Sequence, residues 1–197
     1  MNLGIIGNGG REHSLIWAIA QNPRCSKLFC IPGNPGIEKL AKCPKIKSDD
    51  EVAVINFCLN KKIDLVVIGP EGPLVAGLGD SLRKKNILTF GPSRIASMLE
   101  ASKSFTKTIC RKAKIPTAQS ETFQEKSKAK AYIEENNVPI VIKADGLAAG
   151  KGVIIAHTKH EALKAVNDIF NIGQEEPEIK ISSLVPYLNF SLYNISK

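Results

Sequence analysis

Short apolar runs alternate with amphipathic stretches at helical spacing along the first hundred residues, and that alternation predicts strand and helix in turn. Residues 2–7 predict a buried strand, followed by a glycine turn and a helix over 11–21 with Leu15, Ile16, Ala18 and Ile19 as its apolar stripe. A second strand is predicted over 27–31, a helix from 51 to about 62 led by Asp49 and Asp50, and a third strand over 63–68. A helix over 74–85, a strand over 87–90 and a helix from Arg94 complete the pattern. Four strands alternating with helices predict a parallel sheet, an α/β Rossmann-like domain over residues 1–101.

The pattern changes after that point. Residues 102–120 predict a basic helix and a linker, since Lys103, Lys107 and Arg111 recur every four residues and no acid falls between Ala101 and Ser120. Beyond it come a helix over 125–136, a strand over 139–144, a glycine-rich loop over 145–152, a strand over 153–157 and a helix over 158–170. Two convincing strands predict a smaller α+β unit over 121–185, with 186–197 an unassigned tail.

The irregular segments 7–10, 32–36, 69–73 and 91–93 all follow strands, and in open α/β sheets the carboxyl ends of the strands form the ligand edge. Gly7-Asn8-Gly9-Gly10-Arg11-Glu12-His13 places backbone N–H groups at a helix N-terminus with a charge beside them, which suits a phosphate. It is not the dinucleotide fingerprint, because Glu12 stands where the third glycine belongs and no acid ends the second strand. The run from Asp145 through Gly146, Gly150, Lys151 and Gly152 is one residue short of a Walker A loop. Joining two strands, with Lys143 ahead of it, it predicts a lid over nucleotide phosphates.

Composition narrows the function. With 43% hydrophobic and 23% charged residues the chain is globular, and no apolar run approaches the roughly 18–20 residues that cross a bilayer. Nothing resembles a secretory leader, and five cysteines without a CxxC pair predict reduced thiols, a cytoplasmic setting and no metal site. The net charge of +8 is shared equally between residues 1–100 and 101–197, and 22 of 27 basic residues are lysine, which argues against a nucleic-acid partner.

Taken in order, GNGGREH, PGNPG, GPEGPLV, FGPS, SKSFTK and VIKADGLAAGKGV resemble the N-terminal part of the phosphoribosylamine-glycine ligase (glycinamide ribonucleotide synthetase) family of ATP-grasp enzymes, over about residues 1–170. The resemblance implies a purine-biosynthesis ligase: ATP phosphorylates glycine, and 5-phosphoribosylamine attacks the acyl phosphate. It implies a phosphoribosylamine pocket made by Gly7, Asn8, Gly9, Gly10, Arg11, Glu12 and His13, with Pro32, Gly33 and Asn34, and Gly69, Pro70, Glu71 and Pro73. The first loop would hold the 5-phosphate. ATP phosphates would meet Lys107 and Lys143 under a lid that includes Asp145, Gly146, Gly150, Lys151 and Gly152. The resemblance assigns no catalytic residue.

Family members are about twice this long, and the Mg2+-binding carboxylates would lie in the part not matched here. Near 179–185 the family shows a strand ending in an acidic hinge, whereas this chain has Lys180-Ile181-Ser182-Ser183. The sequence therefore predicts a truncated ligase with little or no activity by itself, with a complementary or full-length ligase chain as a possible partner. Rival expectations are another ATP-grasp ligase, such as a biotin-type carboxylase, and a non-catalytic ribose-phosphate or nucleotide-binding remnant.

Overall fold

A computed structural model describes residues 1–144, 153–171 and 179–183. The chain divides into two compact units, Met1–Glu100 and Ala101–Lys197.

In the first unit, strands β1 (Asn2–Gly7), β2 (Lys27–Pro32), β3 (Leu65–Ile68) and β4 (Leu88–Phe90) form one sheet in the order β2-β1-β3-β4, with every pairing parallel. Helices α1 (Gly10–Ala20), α2 (Glu51–Asn60), α3 (Glu71–Ala76), α4 (Leu78–Lys84) and α5 (Arg94–Ala101) alternate with them. Side chains of β1 and β2 leave the sheet on alternate sides. Ile6, Phe29 and Ile31 join Val54 and Cys58 of α2 and Leu74, Leu78 and Leu82 of α3 and α4 in one core. Ile5, Leu28 and Cys30 pack with Ile16 of α1 and with Ile37 and Ala41 in another. Burial on both faces is why these strands read as unbroken apolar runs rather than alternating ones. Asp50 starts α2, its carboxylate accepting the Ala53 N–H at 3.0 Å.

Two sequence expectations for this unit are corrected. The helix expected over 74–85 is two helices, and α3 begins at Glu71, so Glu71-Gly72-Pro73 is a first turn rather than a loop. Pro73 fits there because a first-turn residue has no intrahelical use for an N–H. Gly77 (φ 104°) then breaks the path before α4, and the smooth apolar periodicity across the break concealed it. In α1, Leu15 is 41% exposed and Ala18 is exposed, and the inward line is Glu12 and Ile16, both buried, with Ile19 half-buried. Positions three and four apart share a face, and the top place on that face belongs to a carboxylate.

In the second unit, α6 (Lys103–Lys112), β5 (Ser120–Phe123), α7 (Lys126–Glu135), β6 (Ile140–Ala144), β7 (Val153–Ala156), α8 (Lys159–Asn171) and β8 (Ile179–Ser183) follow in chain order. The sheet runs β5-β8-β6-β7, all antiparallel, so four strands stand where two were convincing in the sequence. The extra strands are the short polar β5 and the central β8. Ala129 and Ile133 of α7 and Ala162, Ala165, Val166 and Ile169 of α8 cover one face, packing on Ile140, Ile142, Ile179 and Ile181. Residues of opposite parity face the other way. There Lys143 of β6 lies directly across from Lys180 of β8.

Candidate functional site

The strand order puts β2 and β3 on opposite sides of β1, so the direction in which strands are added to the parallel sheet reverses beside β1. That crevice is where open α/β sheets take ligands. Three of the four loops singled out in the sequence meet there. The Gly7 carbonyl accepts the Gly33 N–H at 3.2 Å and the Cys30 thiol at 3.2 Å. Asn34 Nδ2 donates to the Asn8 carbonyl at 2.8 Å, while its Oδ1 accepts from the N–H groups of Gly36 and Ile37 at 2.8 and 3.0 Å. The Gly69 N–H donates to the Ile6 carbonyl at 3.0 Å, and Arg11 Nη2 reaches Glu71 Oε1 at 3.3 Å. Glycine is required at Gly7 (φ 130°) and Gly33 (φ 76°), both in the left-handed region where a Cβ is strained.

Glu12 sits at the centre of this rim, 3% exposed. Its Oε2 accepts the Gly9 N–H at 2.7 Å. His13 lies against Gly36, where a Cβ would stand 3.0 Å from the His13 Cε1. Pro32 ends β2, Pro70 is the N-cap of α3, and Pro73 is buried in its first turn. A cavity of about 930 Å³ opens beside Pro32 and Pro73, walled also by Cys43, Ile46 and Leu78 with Lys45 and Lys47 at its edge. Residues 43–49 carry no motif, and the sequence reading missed them.

The carboxyl of Glu71 is held below its ordinary value, first by its own backbone N–H and then by Arg11. Burial pushes the Cys30 thiol up to about 12, with Cys43 and Glu12 adding to the effect. The fourth loop goes elsewhere: a Cβ on Gly91 would lie 2.9 Å from Leu74, and Arg83 binds the Gly91 carbonyl. Gly91 to Ser93 thus braces α3 and α4 instead of lining the rim.

In the second unit, Lys107 Nζ donates to Thr117 Oγ1 and to the Ala118 carbonyl, each at 2.5 Å. Burial lowers the Lys107 ammonium from its ordinary value, and the charge of Lys143 lowers it further. A cavity of about 290 Å³ is lined by Lys107, Arg111 and Lys180 together with Ser104, Ser120 and Thr122. Lys180 is 2% exposed and was not singled out as a site residue. The alternation Ile179-Lys180-Ile181 was its one signal, since it sets the lysine on the face opposite the core. Like charges directly opposite across a sheet are unfavourable, and an anion between them removes the penalty. Asp145, Gly146, Gly150, Lys151 and Gly152 lie outside the described residues, although β6 and β7, which their segment joins, are antiparallel neighbours. Among the described residues no group of His, Cys, Asp or Glu could hold a metal ion, and no helix is long and apolar enough to cross a membrane.

Residues 1–100 match the family described as phosphoribosylglycinamide synthetase, N domain, and residues 101–197 match the ATP-grasp (A) domain of the same synthetase. A phosphoribosylamine-glycine ligase of Agrobacterium fabrum is 53% identical across the whole chain, which spans 47% of that relative. One of Mesorhizobium japonicum is 54% identical over 86% of the chain and 40% of its own length. The crystal structure of the Thermotoga maritima phosphoribosylamine-glycine ligase superposes with a TM-score of 0.74 at 27% identity, covering 94% of this chain and 44% of that one. The chain thus spans less than half the length of these relatives.

Proposed function

Because the chain belongs to the phosphoribosylglycinamide synthetase family, we propose that its first unit binds 5-phosphoribosylamine at the rim around β1 and that its second unit supplies phosphate-binding lysines of an ATP-grasp site. The observation that carries this reading is the joining of three strand-end loops, 7–13, 32–36 and 69–73, by main-chain and side-chain hydrogen bonds into one polar rim at the reversal point. Arg11, His13, Asn34 and Glu71 stand on that rim with the donors and acceptors a sugar phosphate needs.

In the ligase reaction proposed for the whole enzyme, a glycine carboxylate oxygen attacks the γ-phosphorus of ATP and ADP leaves. The amine of phosphoribosylamine then attacks the resulting acyl phosphate, and inorganic phosphate departs as the amide forms. Lys107 and Lys143 would neutralise the transferring phosphates, with Lys180 beside them. The lysine-rich cavity supports this part. Among the described residues no group of carboxylates, histidines or cysteines would hold Mg2+. For the 197-residue polypeptide alone we expect binding without synthesis.

The test is a thermal-shift titration of the purified chain with ribose 5-phosphate, and in parallel with ATP and magnesium. A ligand that binds only the folded form raises the melting temperature, by about 2.7 kcal/mol of stability at a hundredfold excess over Kd. A shift with ribose 5-phosphate is expected. A cooperatively melting protein that does not respond to it would overturn the assignment of the rim.

A further inference from the structure

In a G-x-G-x-x-G turn the second glycine lets a diphosphate approach the backbone, and the third allows close packing of helix on strand. Here the first two glycines are Gly7 and Gly9, and the third position is Glu12. Its carboxylate takes the Gly9 N–H, a backbone donor at the second glycine where such a turn lets the anion approach. A Cβ added at Gly7 would stand 2.6 Å from the Glu12 Cγ, one at Gly9 would stand 2.9 Å from Oε2, and one at Gly69 would stand 2.7 Å from Cγ and Cδ. Three glycine backbones from two strand ends therefore wall in one carboxylate.

Oε2 already uses the Gly9 N–H, whereas Oε1 is buried with no hydrogen bond and has the Arg11 Nε 3.9 Å away. A negative charge at this place occupies the inner donor of the helix N-terminus and repels a second anion brought beside it. The outer side is different. Nothing stands within 4 Å of a Cβ built on Gly10, and the Arg11 side chain is 66% exposed. The N–H groups of Gly10 and Arg11 belong to the first turn, which has no intrahelical acceptors.

We propose that Glu12 sets the ligand specificity of this turn: it closes the inner half to anions, so that the turn rejects a diphosphate and takes one phosphate on the outer N–H groups of Gly10 and Arg11. This rests on the reading that the first unit binds a ribose phosphate, and it deepens that reading. A glycine turn of the dinucleotide type becomes a monophosphate turn through one side chain.

The experiment is calorimetric titration of the 197-residue chain and of its Glu12→Gly and Glu12→Gln variants with ribose 5-phosphate, inorganic pyrophosphate and ADP-ribose. The unaltered chain should bind ribose 5-phosphate, and any diphosphate it takes on the lysines of the second unit should not be displaced by ribose 5-phosphate. Glu12→Gly should gain pyrophosphate and ADP-ribose affinity by about 10- to 100-fold, the range for one recovered hydrogen bond to a charged group. Glu12→Gln, which keeps the shape and removes the charge, should gain a smaller part of that, and it decides the matter if Glu12→Gly does not melt cooperatively. Diphosphate binding by the unaltered chain that competes with ribose 5-phosphate and is as tight as it would overturn the proposal, as would folded variants that gain no such competing binding. Gained diphosphate binding in the variants without ribose 5-phosphate binding in the unaltered chain would uphold the exclusion by Glu12 and overturn the ribose-phosphate assignment.

Discussion

Replacing Gly69 by alanine tests the glycine cradle directly. Gly69 is not in the left-handed region, so the backbone accepts alanine without strain and any cost comes from the methyl group itself. That methyl would lie 2.7 Å from the Glu12 Cγ and Cδ, closer than carbon atoms approach in folded proteins. Either the surroundings yield, at about 1–3 kcal/mol for overpacking, or the carboxylate leaves and forfeits its bond to the Gly9 N–H, at about 1.5–3 kcal/mol for a charged acceptor. The two routes together predict a loss of roughly 1–3 kcal/mol, and a unit of this size then melts roughly 4–24 °C lower. Urea unfolding followed by fluorescence of Trp17, the chain's one tryptophan, reads the first unit. In a Glu12→Ala background the obstacle is gone, so Gly69→Ala should cost under about 0.5 kcal/mol and the pair should show a coupling near 2 kcal/mol. Additivity of the two changes within about 0.5 kcal/mol would refute the cradle as the reason for glycine at this position.

Burial, partial at Lys107 and complete at Cys30 and Cys58, shifts titratable groups in two ways that can be measured. Burial holds the Lys107 ammonium below its ordinary 10.5, with Lys143 adding to the effect, so between the folded and ordinary values the unfolded chain binds the extra proton. Stability of the second unit should therefore rise with pH on approaching 10.5; denaturation at several pH values should show a flatter slope for Lys107→Met, and an unchanged slope would contradict this. The thiols of Cys30 and Cys58 are pushed by burial up to about 12 and about 11, so at pH 8 they present almost no thiolate. Iodoacetamide labelling with peptide mapping should spare both in the native protein and label both in urea; rapid native labelling of Cys30 would show that the strand beneath Gly7 opens readily.

The doubly covered parallel sheet was legible because each strand and helix is encoded over a few adjacent residues, and because glycine and proline mark every strand end. Lys107 and Lys143 were singled out from a basic helix face, a glycine-rich hairpin and the family resemblance, and the structure brings their charges close enough to interact. Glu12 was legible as a departure from the glycine fingerprint and as a pocket residue, but its burial was not, because nothing near it in the sequence signals a buried carboxylate. Its burial depends on Gly69, far along the chain, which leaves room for it only when β1 and β3 lie side by side. The break at Gly77 was hidden by apolar spacing that runs on through it. The strand β5 was hidden by its polar composition, Ser-Glu-Thr-Phe, and Lys180 by belonging to a strand whose partners are distant in sequence.

The position of β8 has a consequence for how the molecule comes into being. It is the last described strand to leave the ribosome, yet it lies between β5 and β6 in the middle of its sheet, with Ile179 and Ile181 fully buried. Until Ile179–Ser183 emerges, β5 has no described neighbour in the sheet and the β6–β7 hairpin keeps an open edge. The first unit closes with pairings drawn wholly from its own hundred residues. Synthesis thus yields a settled first unit followed by a second whose described sheet stays open to chaperones and proteases until five residues, Ile179–Ser183, join β5 to β6.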